Sequence, residues 1–143
     1  MLSGSYVIPG DIRVASIVTV GSGVPFNILA GTDLNRDGDG GNFPTDRARR
    51  VPADPASSVS RNAGRMPTEA TVDVRVSRVF KLAGRSTIEP LLEVFNLFNR
   101  VNYTDVNNIF GTGAFPNEPL TTYRQFQRAA PPRQGQLAVR VMF

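Results

Sequence analysis

Hydrophobic residues recur at every second position through much of this chain, and the last eleven residues show the pattern best. RQGQLAVRVMF sets Leu137, Val139, Val141 and Phe143 on one side of an extended strand and Gln134, Gln136, Ala138, Arg140 and Met142 on the other. At ~3.3 Å per residue, eleven residues tilted by ~45° rise roughly 25 Å. That is about the height of the apolar band of a membrane-spanning β-wall. A soluble sheet packed on one face alternates in the same way, so periodicity alone leaves both readings open.

Three more strands carry the period. In residues 11–20, Ile12, Val14, Val18 and Val20 share one parity and Arg13, Ala15 and Thr19 the other, with Ser16 and Ile17 breaking the alternation. After Gly21-Ser22-Gly23, the segment VPFNILAG reads as a bent continuation of this strand, with Gly23 and Pro25 marking the bend. Residues 69–80, EATVDVRVSRVF, set Ala70, Val72, Val74 and Val76 against Thr71, Asp73, Arg75 and Ser77. Leu82 to Arg85 make a short reversal, which predicts an antiparallel hairpin with the strand over residues 87–98. There Ile88, Leu92 and Val94 oppose a face that mixes Glu89 and Glu93 with Leu91, Phe95 and Leu97. Such a mixture suits a crowded, partly wet interior. No long segment holds the three-and-four spacing of an amphipathic helix.

Residues 31–67 and 99–132 carry little periodicity and much Gly, Asp, Asn, Pro and Arg or Thr, and read as two long loops. Structureless stretches of that length are uncommon in a compact domain and mark function or disorder. Both loops leave one end of the strands, whereas the short turns near Pro9-Gly10 and at Leu82 to Arg85 lie at the other. The predicted fold is all-β: an antiparallel up-and-down meander of about four to five strands spanning residues 1–143, with long loops at one end. That division of loop lengths is the layout of outer-membrane barrels. It gives a membrane barrel equal standing with a soluble sheet.

Composition removes many functions. The chain has no Cys and no His, which excludes thiol chemistry, disulfides and imidazole catalysis. No nucleophile–base pair is recognisable, and no enzyme is expected. The 16 basic residues, 15 of them Arg, outnumber 12 acids, but they scatter from Arg13 to Arg140 and only Arg47, Arg49 and Arg50 cluster. No nucleic-acid partner is therefore expected. No apolar run reaches the ~18 residues of a transmembrane helix, a limit that does not apply to strands. The opening MLSGSYVIPGDIRV lacks the basic leader and apolar core of a signal peptide, so the expectation is either a protein that is not exported or a chain without its true beginning.

One loop has candidate metal chemistry. Asp33, Asn35, Asp37 and Asp39, with Gly38 among them, place oxygens at alternate positions as a calcium loop does. The bidentate Glu of an EF-hand is missing, because Pro44 stands there. Asp, Asn and Gly also build turns without any metal, and the residues leave calcium as the one cofactor to weigh. Glu89 and Glu93 could suggest glycosidase carboxylates, but four strand positions separate them by ~13 Å, beyond the ~5–9.5 Å required. A lumenal charge network with Arg75, Arg78 or Arg140 is the expectation for them.

Four segments in chain order carry a resemblance: SGVPFNI (22–28), RNAGRMP (61–67) leading into VDVRVSRVF, EVFNLFNRVNY (93–103), and a last strand ending in Phe143. Together they resemble the carboxy-terminal end of the barrel of TonB-dependent outer-membrane receptors, particularly those whose plug follows a carboxypeptidase-regulatory-like domain. The resemblance implies a plugged barrel of about 22 strands that imports a nutrient across the outer membrane of a Gram-negative bacterium. Implied partners are outer-membrane lipid, the barrel-assembly machinery, the remaining barrel and plug, and the inner-membrane energy-coupling complex acting through an N-terminal part. It also implies that Leu137, Val139, Val141 and Phe143 form the barrel-assembly signal. Four or five strands cannot close a barrel and leave two edges open, which is untenable in lipid. On this resemblance the chain is a fragment and not an independent transporter. The alternative is a small secreted or cell-surface calcium-binding β-domain without a transport role.

Overall fold

The computed structural model describes residues 1–38 and 45–143. In chain order its strands are β1 Leu2–Ile8, β2 Ile12–Gly21, β3 Pro25–Phe26, β4 Gly64–Arg65, β5 Glu69–Arg78, β6 Phe80–Lys81, β7 Thr87–Phe95, β8 Tyr103–Val106, β9 Phe126–Ala129 and β10 Gln134–Met142. No α-helix occurs among the described residues. The chain divides into two compact units, one of Met1–Gly21, Thr68–Asn102 and Ala130–Phe143, the other of Ser22–Pro67 and Tyr103–Ala129.

The first unit is an antiparallel sheet in the order β1-β2-β5-β7-β10, with β6 also on β7. It is the expected meander, and it is not closed. Ser77 pairs Leu91 and Phe80 pairs Ile88, so β5 and β6 are one strand with a gap at Arg78–Val79. Opposite that gap in β7 stands Pro90, which has no N–H to contribute to a ladder. The N–H of Val79 donates instead to the carbonyl of Asp11, at 3.4 Å.

Cross-strand partners share a face, so the register carries parity through the sheet. Tyr6 faces Val14, Val14 faces Val76, Val76 faces Leu92, and Leu92 faces Leu137. The predicted apolar sets of four strands therefore fall on one side. Ser16 stays on that side and Ile17 on the other, because β2 pairs β5 from Ile12↔Arg78 to Gly21↔Glu69 without a bulge. Hydrogen-bond register overrides the local break in pattern.

The second unit corrects two expectations. VPFNILAG does not continue β2: that strand ends at Gly21, and Pro25 and Phe26 pair with Arg65 and Gly64. The segments read as long loops are also ordered: 31–67 supplies β4, which pairs with β3, and 99–132 holds the β8–β9 ladder, while Ala48, Val59 and Phe110 from them join Ile28 in a core. Phe110 is 1% exposed, with Phe115 and Tyr123 edge-on to it at 5.2 Å. These residues lie too far apart in sequence to produce a period, yet they bury enough apolar surface to order the chain. Burial raises the Tyr123 hydroxyl above the usual phenol range, with Arg124 opposing the shift.

Candidate functional site

The outer face begins with what lies on it. Leu2, Tyr6 and Ile8 of β1, the even positions of β2, β5 and β7, Phe80 of β6, and Leu137, Val139 and Val141 of β10 make an almost wholly apolar surface. Leu137 is 82% exposed and Phe143, just past β10, 98%. An apolar surface this extensive, uncovered by protein, fits a lipid environment. Arg78 is the one charged side chain on it, since its partner across the sheet is Ile12. This departs from the expectation that Arg78 joins the lumenal network.

The opposite face carries the network. Glu89 is buried; its Oε1 accepts a hydrogen bond from the Ser77 hydroxyl at 2.8 Å, and its Oε2 lies 3.4 Å from the guanidinium of Arg140, its direct cross-strand partner. Arg75 and Glu93, also directly opposed, are 3.6 Å apart. Arg75 and Arg140 thus pair with the glutamates as expected. Ser77 is the member that sequence reasoning missed. A small polar residue at inward parity beside Glu89 was the available signal.

The four segments behind the family resemblance have structural roles. Asn96 and Asn99 adopt left-handed backbone, with φ of 50° and 52°, and end β7. The buried Asn96 side chain donates to the carbonyl of Arg100 (2.9 Å) and accepts from its N–H (3.1 Å). Asn102 accepts from the N–H of Ala70 and donates to its carbonyl, both at 2.9 Å. Leu97 N–H donates to the carbonyl of Val72, and the Arg100 guanidinium to that of Thr68. FNLFNRVN thereby satisfies the part of the β5 edge that β7 leaves unpaired. In the other unit, a Cβ on Gly64 would overlap the Phe26 ring and one on Gly23 the carbonyl of Met66, so SGVPF and NAGRMP are shaped to lie together.

The acidic loop makes the hydrogen bonds of turns. Asp33 accepts from the N–H groups of Arg36 (2.6 Å) and Gly38 (3.2 Å), Asn35 from that of Asp37 (3.0 Å), and Asp46 from those of Leu34 (2.6 Å) and Asn35 (3.0 Å). The Asn35 amide also donates to Asp37 at 2.8 Å. Asp39 lies outside the described residues. Among the described residues no three acidic side chains converge as a metal site would require.

Leu137, Val139, Val141 and Phe143 stand together on the apolar side of β10, the edge strand, beyond which no strand among the described residues pairs.

A two-faced antiparallel sheet, apolar on its exposed side, ion-paired on the other and with its tight turns at one end, defines the class of membrane-spanning β-barrel walls. The profile of the family described as the outer membrane beta barrel domain matches residues 6–136, and the chain belongs to that family. Its location is accordingly the outer membrane. No curated protein and no solved structure matches the chain.

Proposed function

We propose that this chain is the C-terminal barrel segment of a TonB-dependent receptor that imports a nutrient, and that it acts only together with the rest of the barrel, a plug and the inner-membrane energy-coupling complex. The role is not catalytic. The observation that carries this reading is the arrangement of the resembling segments: SGVPF against NAGRMP, and FNLFNRVN along β5, each motif making contacts that its particular residues require. The substantial loop unit is a second support. Short turns suffice for a purely structural barrel, whereas a receptor needs ordered surface on which a ligand can be recognised. In this reading the barrel-assembly machinery takes Leu137, Val139, Val141 and Phe143 as its insertion signal.

Energy coupling is the point to test. The full protein containing this segment, solubilised in detergent and immobilised, should retain the purified periplasmic domain of TonB. Failure to retain it, in protein whose gel mobility shows a folded barrel, would overturn the receptor reading while leaving outer-membrane membership intact.

A further inference from the structure

A charged residue facing hydrocarbon is expensive unless its head reaches the interface and finds a partner there. Arg78 faces the apolar side of the sheet, and among the described residues it forms no ion pair. Its guanidinium lies 4.8 Å from the centre of the Phe80 ring, one register step nearer the tight-turn end, and 3.9 Å from where a Cβ on Gly10 would stand in the β1–β2 turn. The side chain therefore bends toward that end, which in this family's layout is the periplasmic interface.

Beside Arg78, on the same face, lies a shallow, open groove lined by Ile12, Val76, Pro90, Leu92, Leu137 and Val139. Pro90 is among its lining residues, and its compact ring projects less than the Leu and Val side chains around it. The groove starts in the register row of Arg78 and runs toward the middle of the strands, since Leu92 and Leu137 lie one row further from the turns. A cation at the interface and an apolar trough leading inward from it match one occupant in charge and in polarity.

The geometry points to a binding site for a single glycerophospholipid of the periplasmic leaflet, with its phosphate on the Arg78 guanidinium and an acyl chain in the groove over Pro90. A planar guanidinium offers paired N–H donors that suit phosphate oxygens. The Phe80 ring lies beneath the guanidinium carbon and offers it a cation–π contact. This inference rests on outer-membrane membership and not on the receptor reading, and loss of TonB retention would leave it unaffected.

The test is native mass spectrometry of the full protein in uncharged detergent, titrated with dioleoylphosphatidylglycerol. Wild type should hold one lipid, and Arg78→Gln should bind it about tenfold more weakly, the scale of one lost charge-assisted contact. Val139→Trp, which fills the groove and leaves the arginine in place, should weaken binding similarly. Dioleoylglycerol, with the same tails and no phosphate, should bind wild type no better than the phospholipid binds Arg78→Gln. Wild-type affinity in Arg78→Gln would overturn the phosphate contact. Wild-type affinity in Val139→Trp, or displacement of the lipid by equimolar inorganic phosphate, would overturn the groove. Gel mobility without boiling reports folding, and Arg78→Lys with Val139→Phe provide a milder pair subject to the same criteria.

Discussion

The side chain of Asn102 pairs with the backbone of Ala70 as a neighbouring strand would, one hydrogen bond in each direction at 2.9 Å. Replacing it by Ala strands both groups at the β5 edge. Asn102→Ala should cost about 1–3 kcal/mol, the scale of unsatisfied buried polar groups. Equilibrium unfolding of the reconstituted protein measures this, and a change below the error of the titration would remove the proposed sewing role of FNLFNRVN.

Glu89 and Arg140 are unequal partners, with side chains 6% and 57% exposed. Arg140→Ala should change stability by about 1 kcal/mol, because solvent screens its exposed guanidinium and Glu89 keeps the hydrogen bond from Ser77. Glu89→Ala should cost more, about 1–3 kcal/mol, because the buried Ser77 hydroxyl loses its acceptor. Equal losses in the two variants would mean that the ion pair, and not the Ser77 bond, holds this part of the wall.

The two faces should respond oppositely to charge. Val74→Arg places a cation on the apolar face and should destabilise the inserted protein by about 2–4 kcal/mol if its row lies near mid-membrane. Thr71→Arg, on the ion-paired face, should be tolerated. Folding into vesicles followed by denaturant titration compares the two; equal effects would contradict the assignment of faces.

Much of this was legible in the sequence, and the reason is the period of two. Val14, Val76, Leu92 and Leu137 were each assignable within their own strand, and the register then places them side by side. Arg78 could have been assigned too, since it shares parity with Val76 and Phe80; weighting its charge above its position led to the wrong face. What remained hidden depends on contacts with no period. Ile28 meets Phe110 across 82 positions, and Asn102 meets Ala70 across 32. Likewise, the alternating oxygens of Asp33, Asn35 and Asp37 look alike in sequence whether they face a cation or, as the described atoms do, mainly backbone amides.

Phe110→Ala should loosen the loop unit by about 3–5 kcal/mol, the usual range for a large buried aromatic. Limited proteolysis should then cut within residues 22–67 or 103–129 while the sheet stays resistant. Protection identical to wild type would mean that the loops are ordered without their core.

Deleting Phe143 should slow appearance of the full protein at the cell surface, without lowering the unfolding midpoint of protein refolded in vitro. Normal surface levels would count against a recognition role for Phe143.

The core of the second unit draws Ile28, Ala48 and Val59 from one connection and Phe110 from the other. The two connections therefore constitute a single exchangeable cassette. A chimera that transplants only one of them from a related barrel inherits half of an interior, and the loop surfaces built on this scaffold have to be swapped or diversified as a pair.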